Sequence, residues 1–222
     1  MRTEKWKMYI DVLQGHPSLC KSFHTKEDMQ FITNHIPPKD FPRMLDIGAG
    51  EGLETKVLKD LGYDVTGIVR GDLNTGFAKK NYPGVKFIDC DMHDLPFPSG
   101  SFDGIYTNQV FEHAFAPFIF LLEMYCVLRE GGRIWIAMPE FKEKGDLTAN
   151  KDINYISHHH PNIVCWNLLS QMFEKTGFKV LYKKTVESNP YFDNPYLLEK
   201  QPISFLHSDV QTVVNKRREL YG

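Results

Sequence analysis

Cysteine is scarce in this chain and never suitably spaced: Cys20, Cys90, Cys126 and Cys165 form no C-x-x-C pair. That excludes a zinc knuckle and a disulfide framework, and it predicts reduced thiols in a cytoplasmic setting. Long apolar runs are also missing. The longest, Phe115 to Leu122, falls short of a bilayer span and is interrupted by Pro117. Residues Met1 to Gln14 carry Lys5 and Lys7 without the apolar stretch a signal peptide needs, so no membrane partner is expected. Neither sign of charge is in excess: Lys plus Arg number 26 and Asp plus Glu 28, a net charge of −2. So balanced a chain has no bulk field with which to wrap nucleic acid. Internal repeats and low-complexity tracts are absent too, which removes solenoids from consideration.

What is present suits one ordinary domain: 222 residues, 42% of them hydrophobic, enough for a core without metal or disulfide staples. Thr25, with Asp28 three residues on, opens a helix through Met29, Ile32 and Ile36 that Pro37-Pro38 ends. From there strands and helices alternate. Arg43 to Ile47 reads as a strand, and the helix after it carries Leu53, Val57, Leu58 and Leu61 on one face. Asp64 to Ile68, Val85 to Ile88, Phe102 to Asn108, Arg133 to Ala137 and Phe178 to Tyr182 read as further strands. The helices between them are Asp72 to Asn81, Pro117 to Leu128 with a stripe of Phe118, Leu121, Leu122 and Tyr125 stopped by Gly131-Gly132, and Asn167 to Thr176. Ile203 to His207 is a candidate last strand. Ser208 can cap a terminal helix with Val210, Val213 and Val214 inward and the basic run Lys216-Arg217-Arg218 as its wet face.

Repeated β-α-β units predict an α/β fold: a Rossmann-like, doubly wound, mainly parallel seven-stranded sheet with helices on both faces. The expected organisation is an N-terminal arm over 1–24 with a short helix near Trp6 to Leu13, a core over 25–185, and a C-terminal extension over 186–222. That extension would complete the sheet and is a candidate lid over the substrate.

Asp46-Ile47-Gly48-Ala49-Gly50-Glu51-Gly52 is the strongest chemical signal. Glycines at a strand end allow a tight turn and a close approach of backbone to ligand, and the next helix presents its N-terminus. The dinucleotide fingerprint G-x-G-x-x-G is not matched, because the third glycine comes one residue early and Leu53 stands where that pattern needs Gly. A glycine-rich turn without a ligand is the plainer alternative.

With these residues in view, the chain resembles the class I S-adenosylmethionine-dependent methyltransferases, and in particular their broad small-molecule branch. The likeness extends to Cys90-Asp91-Met92-His93-Asp94-Leu95-Pro96-Phe97-Pro98 with Gly100-Ser101-Phe102-Asp103, to Tyr106 through His113, to Leu128 through Arg133, and to Thr176-Gly177-Phe178. It covers about Met44 to Tyr182. The resemblance implies S-adenosyl-L-methionine as cofactor. Gly48, Ala49 and Gly50 would then pass under its methionine part, with Asp46 holding the loop or reaching the amino group through water. Asp91 would accept a hydrogen bond from the adenine amino group, the Met92 N–H would face the ring, and Asn108 would lie near the methionine end. For Asp91 and Asp94 the plainer role is capping turn N–H groups.

One departure stands out. The family usually carries an acidic residue at the end of strand two, and this chain has Val69 there. Asp72 or the Arg70 backbone would have to serve the ribose. Arg70 is most simply a solvated side chain, but it also suits a 2′-phosphate, which motivates an NADP-dependent oxidoreductase as the rival reading; an S-adenosylmethionine-binding module without catalysis is another. No Tyr-x-x-x-Lys pair lies in the helix where the oxidoreductase would need it. His113, shortly after strand four, is the candidate catalytic base. His158 and Tyr155 are candidate substrate contacts. His158-His159-His160 is not expected to hold a metal, because successive side chains of an extended segment point apart. The expected partner is a small-molecule acceptor, and the order Asn108-Gln109-Val110-Phe111 lacks the NPPY-like motif of nucleic-acid base methylation.

Overall fold

A computed structural model describes residues 26–138, 166–184 and 194–221. The arm with its expected helix, the Thr25 cap, Tyr155 and His158 to His160 lie outside these residues. Seven strands form one sheet in the order β3-β2-β1-β4-β5-β7-β6. They are β1 (Arg43–Ile47), β2 (Asp64–Val69), β3 (Lys86–Asp89), β4 (Phe102–Asn108), β5 (Leu128–Met138), β6 (Phe178–Lys183) and β7 (Asn194–Lys200). The first five run parallel, and β7 pairs antiparallel with both β5 and β6. The helices are α1 (Lys26–His35), α2 (Leu53–Asp60), α3 (Asp72–Asn81), α4 (Pro117–Val127), α5 (Trp166–Lys175) and α6 (Ser208–Tyr221). None of the described helices is long and apolar enough to cross a membrane.

The period of two along each strand sorts side chains between two cores. Leu45, Ile105, Ile134, Ile136 and Leu198 pack on one face with Phe120 and Leu121 of α4, Phe173 of α5 and Val214 of α6. Met44, Tyr106, Trp135 and Leu197 point the other way, onto Ile32 and Ile36 of α1 and Leu58 of α2. Each full burial of a side chain of this size removes roughly 1.5 to 3 kcal/mol of unfavourable contact with water. At the strands' amino ends Asp103 takes both Arg43 and Arg129, with N–O distances of 2.8 to 3.0 Å. Burial alone would raise its pKa, but the bonds from the two guanidinium groups outweigh that and bring it down to about 2.

Several sequence expectations need correction. Ile203 to His207 is not a strand: Ile203–Phe205 forms a 3-10 turn, and the remaining strand is Asn194–Lys200. Helix α4 ends at Val127, because Leu128 already has extended dihedrals; Gly131-Gly132 lies inside β5, where the pairing with β4 shifts register. Phe118 is exposed, while Phe120, Met124, Cys126 and Val127 are buried, since α4 is covered both by the sheet and by α6. In α2 the buried residues are Thr55 and Leu58; Leu53 and Leu61 are exposed. In α6 Val213 faces water, and Arg217, expected on the wet face, is buried.

Candidate cofactor and acceptor site

Parallel strands deliver their following loops to one end of the sheet, and ligands of such sheets sit beyond the strands' carboxyl ends. The turn after β1 is tied to β2, with the N–H groups of Gly48 and Ala49 both donating to the Ile68 carbonyl at 3.1 and 2.9 Å. Gly48 has φ +80°, and a Cβ there would overlap Val110, which stands just after β4. Gly50 has φ +50°, but a Cβ there would meet only the Gly48 carbonyl oxygen, 4.0 Å away. Two glycines two residues apart are thus needed for different reasons: one lets a neighbouring loop pack, the other leaves open space. Asp46 is buried and its Oδ2 accepts a 2.5 Å bond from the Thr55 hydroxyl, which joins the end of β1 to α2.

After β3 the Asp91 carboxylate is held on two sides. Its Oδ1 accepts from the His93 backbone N–H at 3.0 Å and lies 2.7 Å from His93 Nδ1, while Oδ2 is 3.2 Å from Arg70 Nη1. Burial would push its pKa up; the His93 bonds and the Arg70 charge prevail and lower it. Arg70, its side chain 38% exposed, thus remains in contact with water while pairing with Asp91, and the carboxylate beside it would repel a 2′-phosphate. His93, unnoticed in the sequence, also accepts the Ala116 N–H on Nε2 at 3.3 Å, so Nδ1 carries the proton and the ring bridges the loops after β3 and β4.

Two carboxylates border the loop after β2. Asp72, first residue of α3, is exposed. Asp89, paired with Val69 across the β2–β3 ladder, accepts the Gly71 N–H on Oδ1 at 2.9 Å. Only the strand register brings a carboxylate there, and no local motif announces it. At the end of β4 Asn108 is buried, and Gln109 follows with φ +53°, the one non-glycine residue of positive φ among those described. Such a conformation stores strain and marks functional turns. Then comes the short 3-10 turn Phe111–His113, with Glu112 buried and His113 exposed. Phe115 and Ile119 stand exposed close behind. Among the described residues no group of His, Cys, Asp and Glu is arranged to hold a metal.

Comparison with known proteins points to a methyltransferase domain on this fold. A family model described as a methyltransferase domain matches residues 45–136. The chain is 36% identical over 98 residues to the demethylmenaquinone methyltransferase of Beutenbergia cavernae, covering 43% of this chain and 40% of that protein. It is 29% identical over 169 residues to the O-methyltransferase cnsE of Penicillium expansum, covering 69% and 58%. The chain thus spans about half the length of the curated relatives it matches. Among solved structures it resembles the Burkholderia thailandensis 1,6-didemethyltoxoflavin-N1-methyltransferase with bound 1,6-didemethyltoxoflavin and S-adenosylhomocysteine. That likeness has a TM-score of 0.68 at 18% identity, over 90% of this chain and 88% of that one, and speaks for the fold. Fold, motifs and the matched segment agree: residues 45–136 match a methyltransferase domain, and the chain resembles the class I S-adenosylmethionine-dependent methyltransferases.

Proposed function

We propose that the chain transfers the methyl group of S-adenosylmethionine to a nucleophilic atom of a small molecule. The observation that carries this reading is the convergence of three unlike loops at one end of the sheet. The turn at Gly50 leaves open space, a carboxylate stands at Asp91, and a strained turn follows Asn108. These groups fit the cofactor. Gly48, Ala49 and Gly50 would run beneath its methionine part while Asp46 fixes their turn through Thr55. Asp91 would take the adenine amino group on Oδ2, sharing or replacing Arg70, with the Met92 N–H towards the ring. Asn108 would lie by the methionine end, and Asp72 or Asp89 by the ribose.

When bound, S-adenosylmethionine supplies an activated methyl on a sulfonium that is already a good leaving group. The protein's task is then to aim the acceptor in line and to keep water out. Where the nucleophile must first lose a proton, the His113 imidazole would take it. Tyr155 and His158 are proposed to face the acceptor. A small acceptor agrees with the balanced charge, with the exposed apolar side chains of Phe115 and Ile119 that follow His113 in the chain, and with the quinone named for the Beutenbergia relative.

Thermal unfolding with S-adenosylhomocysteine, S-adenosylmethionine or NADPH tests the cofactor. A ligand at 100 times its dissociation constant adds about 2.7 kcal/mol of stability. S-adenosylhomocysteine is expected to raise the midpoint; a rise with NADPH alone would overturn the reading. Transfer of labelled methyl to a panel of hydroquinones, phenols and amines then identifies the acceptor class.

A further inference from the structure

The turn that carries Asp91 is fastened from two helices distant in the sequence. Within it the Asp94 N–H donates to the Asp91 carbonyl at 3.1 Å, so Asp91 to Asp94 form one tight turn that Leu95 directly follows. The Leu95 N–H donates to Glu123 Oε2 of α4 at 2.9 Å, and the Leu95 carbonyl accepts from Arg217 Nη2 of α6 at 2.8 Å. Arg217 Nη1 reaches the Phe97 carbonyl at 3.4 Å. The same guanidinium grips Glu123 with both arms, Nε to Oε1 at 2.8 Å and Nη2 to Oε2 at 2.9 Å. Tyr221, one turn further along α6, lays its ring 4.8 Å from the guanidinium carbon and donates its hydroxyl to Asp94 Oδ1 at 2.5 Å.

Stability alone does not account for this arrangement. The two charged side chains are only 8% and 12% exposed, and a buried ion pair often gives no more stability than apolar residues of equal volume. What a forked pair supplies is direction, because planar groups bonded at two points hold their neighbours in one orientation. Here the neighbours are both backbone groups of Leu95, four residues from the Asp91 carboxylate.

We propose that Arg217 and Glu123 are a positioning pair for cofactor recognition, joining α6 to α4 so that the 91–97 turn presents Asp91 and the Met92 N–H to the adenine ring. This rests on the S-adenosylmethionine reading above. Tyr221 is the outer support of the same device.

Titration calorimetry of S-adenosylhomocysteine into the full chain tests it. Absence of binding to the wild type would sink the cofactor reading itself; the inference is judged on the variants of a wild type that binds. Arg217→Lys keeps the charge but cannot fork, and about a ten-fold loss of affinity is expected, the size of one charge-assisted bond. Tyr221→Phe, at a partly exposed site, should fold normally and lose roughly two- to three-fold, since one outer bond of the set is removed. Combined with Asp91→Asn, each loss should fall short of the product of the single losses, because both changes act on one contact. A merely structural pair would lower the unfolding midpoint and leave the affinity alone. Wild-type affinity in folded Arg217→Lys, or losses that multiply in full with Asp91→Asn, would overturn the proposal. Should Arg217→Lys not fold, Tyr221→Phe decides by the same two criteria.

Discussion

Gly48 and Val110 are packed so closely that a single added carbon on the glycine would overlap the valine side chain. The contact joins the turn after β1 to the second residue after β4. Gly48→Ala therefore adds a clash to a backbone at φ +80°, and a loss of about 2 to 4 kcal/mol is expected in denaturant unfolding. Val110→Ala in the same chain should restore part of it. Wild-type stability in Gly48→Ala would mean that the two loops are not coupled.

Gly50 should behave oppositely. Space is open around it, so Gly50→Val is expected to fold with a strain of about 1 kcal/mol while losing measurable affinity for S-adenosylhomocysteine. Unchanged affinity in calorimetry would place the ligand elsewhere.

Asp91→Asn removes an acceptor oxygen and introduces a competing donor. Affinity for S-adenosylhomocysteine is expected to fall by about 1 to 2 kcal/mol, with the far-ultraviolet spectrum unchanged. An unaltered dissociation constant would return Asp91 to a local role with His93 and Arg70.

Acid stability should report Asp103. Its folded pKa of about 2 lies below the unfolded value of about 3.9, so its contribution is complete above the unfolded value. It disappears as the pH falls through about 2. The term amounts to roughly 2 kcal/mol, and Asp91, also lowered, acts in the same direction. Denaturant midpoints of Asp103→Asn between pH 5 and 2 should decline less steeply than those of wild type; parallel curves would contradict this assignment.

His113→Ala is expected to leave S-adenosylhomocysteine affinity nearly intact and to slow methyl transfer by about 10² to 10⁴ where the acceptor needs deprotonation. Undiminished turnover with the true acceptor would clear His113 and direct attention to His158.

Much of the sheet was legible because short strand-like runs take turns with amphipathic helical stretches along the chain. Arg43 to Ile47 and Phe102 to Asn108 have the same limits in the sequence reading and in the fold. Asn194–Lys200 was not legible, since Pro195 speaks against a strand; it is tolerated as the second residue, opposite Ala137. Arg217 sits in a run of three basic residues that reads as solvated, and its partner Glu123 is 94 residues away. Asp89 likewise acquires meaning only through its register with Val69. Local pattern carries the elements, while long-range pairing decides which charges are withdrawn from water.

The place of β7 has a consequence for biosynthesis. Its partners in β5 lie about sixty positions earlier in the chain, Ile134 opposite Leu198 and Ile136 opposite Tyr196. Until Asn194–Lys200 has emerged from the ribosome, the β5 edge bearing Ile134, Trp135 and Ile136 has no β7 to cover it. A nascent chain with such an edge is a template for pairing with other chains, so the emergence of β7 closes the window for aggregation.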